Sequence, residues 1–212
     1  MIPMCFHSRL RVSFLLSLMV VTSMTNSVSA TSLDNTLTDG IVDDRRSGDL
    51  RSNAGAKWRL ITDGVMGGLS SGQLVLDDYR GKACLRMRGD VSTENNGGFL
   101  QVALSLTDIP GSKKGVFDAS DYSGVEIEVS GNDETYNIHF RTDDLWFPWQ
   151  SYRASFRASD RWQTIRVPFA SLKAYKTTRK FSPEELIRIG IVAIGRDFKA
   201  DLCLGSVRFY RE

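Results

Sequence analysis

The sequence predicts an all-β fold, a β-sandwich with one short helix. Two observations point there. From Lys57 onward apolar residues recur with a period of two, the spacing of half-buried strands. Against this, a single segment carries the signals that start a helix. About ten strands and one helix leave little besides two opposed sheets sharing one core.

The first thirty residues read as a secretory signal and are set apart from the fold. His7, Arg9 and Arg11 make a basic start, an apolar run covers 12–21, and Val28-Ser29-Ala30 offers small residues for cleavage. The run is too short to span a bilayer as a mature helix. An organelle presequence is the rival reading, because the segment lacks acids and holds several serines. Two of the 27 Lys and Arg residues lie here and none of the 25 Asp and Glu, so the remaining 182 residues are formally neutral. Neutrality argues against a phosphate backbone as partner, so no nucleic acid is expected.

Residues 31–56 are polar, with Asp43-Asp44-Arg45-Arg46-Ser47-Gly48-Asp49 at their centre and few apolar members. Such a stretch buries little, and the expectation is a disordered tether ahead of a domain over 57–212.

Along that domain, strands are expected at 73–76 and 83–88, then over three alternating sets: Leu100, Val102, Leu104 and Leu106; Val125, Ile127 and Val129; Tyr136, Ile138 and Phe140. Further strands follow at Tyr152, Ala154 and Phe156, at Ile165, Val167 and Phe169, at 189–194, and at Val207 and Phe209. The helix signal is Ser182-Pro183-Glu184-Glu185, serine as cap, proline at the first helical position and glutamate three residues after the serine. Gly190 and the β-branched residues around it limit that helix to about two turns. Cys84 and Cys203 are the cysteines left after the signal; they either pair as a disulfide or sit as two buried thiols, since spacing does not report distance.

Two glycine pairs stand out. Asp63-Gly64-Val65-Met66-Gly67-Gly68-Leu69-Ser70 and Glu94-Asn95-Asn96-Gly97-Gly98-Phe99 both set paired glycines beside Asp or Asn, which favours left-handed backbone and removes side-chain bulk. In one reading Asp63 closes a turn, Met66 packs inward and Gly67-Gly68 lets the backbone pass close to a neighbouring strand. In the other, the same backbone forms part of a docking surface. The first segment lacks the lysine and the following Ser or Thr of a phosphate loop, and no βαβ periodicity surrounds it. A third candidate is Leu145-Trp146-Phe147-Pro148-Trp149-Gln150-Ser151-Tyr152. Its aromatics either cap the open end of the sandwich or face a glycan or a partner protein, with Trp149 the ring expected to be exposed.

Catalysis is poorly provisioned. His139 is the one histidine after the signal and stands on the polar face of an expected strand, with no nucleophile motif near it. Three Cys and His residues fall short of an ordinary zinc set. The acidic pairs Asp77-Asp78, Asp118 with Asp121, Asp133-Glu134 and Asp143-Asp144 do not follow a calcium-loop pattern. No cofactor, metal or catalytic residue is expected.

Several of these segments together resemble a known family. Trp58, Asp63 to Ser70, Gly89-Asp90-Val91-Ser92 followed by Glu94 to Phe99, Asp121-Tyr122-Ser123-Gly124-Val125, the strand from Ser151 to Phe156, and Trp162 leading to Val167-Pro168-Phe169 resemble the complex I intermediate-associated proteins of thirty kilodaltons. The resemblance implies a galactose-binding-like sandwich of jelly-roll type, also used by carbohydrate-binding modules. It further implies a non-enzymatic, chaperone-like factor that assists assembly of respiratory complex I. The expected binding surface is Asp63, Met66, Gly67, Gly68, Ser70, Asn95, Asn96, Gly97, Gly98, Trp146, Trp149 and Tyr152. An exported carbohydrate-binding protein is the alternative.

Overall fold

Among the described residues fourteen strands, all paired antiparallel, build two sheets. In chain order they are β1 (Ile41–Asp43), β2 (Arg59–Thr62), β3 (Ser71–Tyr79), β4 (Lys82–Val91), β5 (Phe99–Ser105), β6 (Ser112–Lys113), β7 (Val116–Phe117), β8 (Gly124–Gly131), β9 (Glu134–Thr142), β10 (Ser151–Ala158), β11 (Gln163–Pro168), β12 (Lys173–Tyr175), β13 (Leu186–Ile194) and β14 (Phe198–Tyr210). The structure, a computed structural model, describes Met1 and residues 37–212; the expected signal over 1–30 otherwise lies outside the described residues.

A six-stranded sheet runs β11-β8-β14-β4-β3 with β1 beside β14, and an eight-stranded sheet runs β12-β10-β9-β13-β5-β2 with β6 and β7 near β13. Consecutive strands often lie in opposite sheets, the jelly-roll pattern. The alternating apolar residues meet between the layers: Leu100, Val102 and Leu104 from β5, Tyr136, Ile138 and Phe140 from β9, and Val125, Ile127 and Val129 from β8 are all buried.

Residues 37–56 are not a tether within the described part of the chain. β1 pairs with β14 at Ile41↔Arg208 and Asp43↔Val207, next to the segment Phe198–Leu204 that β4 covers. Val42 is buried there, and two of the charges that suggested disorder, Asp43 and Arg45, are paired inside. The Asp43 carboxylate accepts from Trp58 Nε1 at 2.5 Å and forms a buried ion pair with Arg45, whose guanidinium also donates to the carbonyls of Asp49 and Arg51. Composition alone reads such residues as solvated; satisfied in this way, they are part of the core.

The expected two-turn helix is also corrected. A single 3-10 turn, Pro183–Glu185, stands there, one of five such turns in the described chain. The Ser182 hydroxyl donates to the Glu184 carboxylate at 2.8 Å and caps no backbone N–H. Leu186 already begins β13, where Ile187, Ile189, Ile191 and Val192 favour extended backbone.

Candidate functional site

The two glycine motifs form one clamp around Asp63. Thr62 ends β2 extended, its hydroxyl oxygen accepting from Gly64 N at 3.2 Å, and a 3-10 turn over Asp63–Met66 closes on Gly67 in the left-handed region. This aims the Asp63 side chain inward, where it is fully buried. Its carboxylate accepts from the Ser70 backbone N–H (2.9 Å), the Ser70 hydroxyl, the Gly98 N–H and the Phe99 N–H (3.1 Å). Burial pushes its pKa upward, but these hydrogen bonds outweigh that and hold it below the usual carboxylate value. A Cβ on Gly68 would lie 2.4 Å from Asp63 Cγ, and one on Gly97 would lie 2.5 Å from Oδ2. Both glycines are therefore needed to let backbone close over the carboxylate.

The clamp spans both sheets. Ser70 precedes β3 and its hydroxyl oxygen accepts from Ser92 N at 3.0 Å, while Gly195 N beyond β13 donates to Gly98 O at 3.0 Å. Asn95 and Asn96 lie on the adjoining 3-10 turn, with Asn95 left-handed and exposed. Met66 does not pack inward: the turn presents Val65, Met66 and Leu69, each more than half exposed, at its tip.

The aromatic loop belongs to the other end of the sandwich. It joins β9 to β10 and meets the start of β13, where Asp143 N donates to Glu185 O at 2.9 Å. The clamp meets the far end of that nine-residue strand, about 26 Å away at ~3.3 Å per residue. The expected binding residues are thus two separate surfaces. Trp146 is the most exposed ring, at 84% against 49% for Trp149, which stacks on Phe147 at 4.9 Å. Tyr152 faces the core, buried, and its hydroxyl donates to Lys180 O at 3.0 Å, so it leaves the surface altogether. The Arg141 guanidinium fixes the loop by donating to the carbonyls of Leu145 (2.8 Å), Phe147 (2.6 Å) and Gln150 (2.8 Å).

A third surface was not singled out from the sequence. On the outer face of the eight-stranded sheet, strand pairing aligns Lys173, Arg153, His139, Gly190, Ala103 and Arg59 in one row across six strands. The next row holds Ser155, Asn137, Val192, Gln101 and Ile61. A groove of about 900 Å³ opens here, lined in part by Asn137, Arg153, Ser155, Lys173 and Tyr175. The Arg153 guanidinium stacks 3.6 Å above the Tyr175 ring. Burial and the neighbouring Arg153 push the His139 pKa down to about 4, and its Nε2 is buried with no hydrogen-bond partner among the described residues. Alternation in β9 and β10 marked these positions as outward; it does not say which strands adjoin.

The six-stranded sheet carries the disulfide. Cys84 on β4 and Cys203 on β14 are joined, with Cα atoms 5.4 Å apart. Beside it Arg86 holds Asp201 through Nε (2.7 Å) and Nη2 (2.9 Å), reaches Asp77 at 2.8 Å, and lies over the Tyr79 ring. Glu126 likewise takes Arg166 at 2.7 Å and Arg208 at 2.8 Å. Among the described residues no group of three or more His, Cys, Asp or Glu is placed to hold a metal ion, and no helix is long and apolar enough to cross a membrane.

The sequence profile of the family described as Complex I intermediate-associated protein 30 (CIA30) matches residues 49–202, which takes in the clamp, the aromatic loop and all strands but β1 and the end of β14. The chain belongs to the CIA30 family. No curated protein matches the sequence of this CIA30 member. Among solved structures its fold is similar to the family 11 carbohydrate-binding module of the cellulosomal cellulase Lic26A-Cel5E of Clostridium thermocellum, with a TM-score of 0.63, 11% identity, and coverage of 84% of this chain and 96% of that one. A family 11 module from Clostridium thermocellum, solved with a β-1,3-1,4-mixed-linked tetrasaccharide, gives 0.60 at 10% identity over 81% and 95%. A family 30 carbohydrate-binding module gives 0.50 at 16% identity over 68% and 92%. At these identities the likeness is one of fold: the CIA30 chain is a jelly-roll sandwich of the carbohydrate-binding-module type.

Proposed function

We propose that this CIA30-family chain is a binding protein without catalysis of its own, an assembly factor that holds a partner polypeptide belonging to a membrane respiratory complex. The observation that carries this reading is the clamped tip. Val65, Met66 and Leu69 are exposed on a turn whose backbone the buried Asp63 already fixes, so apolar contact there costs little ordering on binding. Membership of a family described as complex I intermediate-associated supports this class of partner. The segment 1–30 acts as an export signal in this reading, with organelle targeting as its rival.

The test is mild crosslinking of the tagged protein in cells, then affinity capture and mass spectrometry. Wild type should enrich complex I subunits, and Val65→Ser with Met66→Ser should lose roughly tenfold of that recovery. Recovery unchanged by the double substitution would overturn the tip as the docking surface.

Glycan binding is the second reading, favoured by the groove on the outer face of the eight-stranded sheet and by the fold shared with carbohydrate-binding modules. Calorimetric titration with mixed-linked and other β-glucan oligosaccharides should then give saturable heat that Asn137→Ala abolishes. A broad oligosaccharide panel without heat would remove this reading.

A further inference from the structure

The outer faces of the two sheets treat charge differently. On the six-stranded sheet, Arg86, Lys82, Arg166 and Arg208 each have a carboxylate partner. On the eight-stranded sheet the outward positions of the six principal strands carry Arg59, Arg141, Arg153, Arg157, Lys173 and Arg188, and none carries Asp or Glu. Arg157 has Asp133 at 3.6 Å, and Arg141 is occupied by the carbonyls of the aromatic loop. Among the described residues, Arg59, Arg153, Lys173 and Arg188 have no carboxylate at salt-bridge distance.

These four are spread across the sheet. Lys173 and Arg153 face each other on β12 and β10, Arg188 stands on β13, and Arg59 on β2 at the opposite edge. Five strand spacings of ~4.8 Å separate the edges by about 24 Å, which an extended chain crosses in about seven residues. We infer that this face docks an extended acidic segment of a partner polypeptide, its carboxylates meeting Lys173 and Arg153 at one edge and Arg188 and Arg59 toward the other. The uncharged row of Ser155, Asn137 and Gln101 lies alongside to receive polar backbone.

Two further observations fit an anion here. Burial and then the neighbouring Arg188 push the Arg141 pKa down, and Arg188 and Arg141 are direct cross-strand partners, so two like charges sit side by side on this face where a carboxylate relieves them. A sugar ring finds less: Tyr175 is the aromatic in the groove lining, and Arg153 covers one face of it. The choice of a polypeptide over an acidic glycan rests on the assembly-factor reading above, although the surface differs from the tip.

The experiment is fluorescence anisotropy of labelled decaglutamate with the full chain, at low and at physiological ionic strength. Saturable binding that weakens with salt is expected, with a loss of roughly tenfold in Arg153→Glu/Lys173→Glu. Arg161→Glu, an exposed residue on the turn between β10 and β11, should change it no more than about twofold. Circular dichroism melts confirm that each variant folds. Absent binding, or binding lost equally in both variants, overturns the inference, as does tighter binding of polygalacturonate or oligothymidylate at matched charge. The Val65→Ser/Met66→Ser variant separates the two proposals. If complex I subunits are captured through the tip while decaglutamate fails, the acidic-segment inference alone falls; if decaglutamate binds while capture fails, the tip reading falls.

Discussion

Asp63 and Gly97 are in direct contact across the two glycine motifs: the carboxylate Oδ2 of Asp63 occupies the space where a Cβ on residue 97 would be, 2.5 Å away. The same oxygen accepts from the N–H groups of Gly98 and Phe99. Thirty-four positions apart in the chain, the two motifs are one structural object.

Asp63→Ala should therefore destabilise the fold by about 2–4 kcal/mol, because it strands the buried N–H groups of Ser70, Gly98 and Phe99. Gly97→Ala should destabilise as well, since backbone or carboxylate must shift. Urea unfolding at neutral pH measures both, and an Asp63→Ala midpoint equal to wild type would refute the clamp.

Residues 37–56 should prove necessary for folding. A chain beginning at Lys57 removes Asp43, the acceptor of Trp58 Nε1, and uncovers the edge of β14 that β1 pairs. It should melt well below wild type, with a loss of more than about 3 kcal/mol, or aggregate on expression. A stable, soluble chain from Lys57 would show that the segment is dispensable.

The Cys84–Cys203 bond closes a loop with a sequence separation of 119. Loop-closure entropy gives about 4–5 kcal/mol for a crosslink of that length. Peptide mapping without reductant should recover the linked pair, and reductant should lower the melting temperature. Free thiols by alkylation in protein prepared without reductant would contradict this.

His139 supplies a pH signature. Its folded pKa of about 4 lies below the unfolded value near 6.5, so the unfolded chain binds more protons in between. Its contribution is fully present above about pH 6.5 and is lost as pH falls toward 4, about 3 kcal/mol in all. The wild-type unfolding free energy should decline over that window and His139→Gln should flatten it. Parallel curves for the two proteins would remove His139 as the cause.

Trp146 and Trp149 should be neutral for stability, since the loop is fixed by Arg141 through backbone carbonyls. Alanine at either should stay within about 0.5 kcal/mol, whereas Arg141→Ala should destabilise further by leaving three carbonyls without their donor. Equal losses in all three would show that the rings themselves hold the loop.

The sequence by itself determined the local geometry of this protein. Period-two runs such as Tyr136, Ile138 and Phe140 define strands, because side-chain alternation is a property of the single strand. The glycine pairs marked close backbone approach for the same local reason. What the glycines approach is decided elsewhere: Asp63 reaches Gly97 and Gly98 only once β2, β3, β4 and β5 are in place. Asp43 and Arg45, in the acidic and basic run at 43–46, look solvated in one dimension and are buried in three, because Trp58 and the carbonyls of Asp49 and Arg51 satisfy them. The basic face is the same case on a larger scale, with Arg59, Arg153, Lys173 and Arg188 far apart along the chain and gathered only by sheet order. Separation of the clamp from the aromatic loop follows from the antiparallel course of β9 and β13. Periodicity along a chain reports which way a side chain points; partners and distances arise from pairing between strands remote in sequence, and that is settled by packing of the whole core.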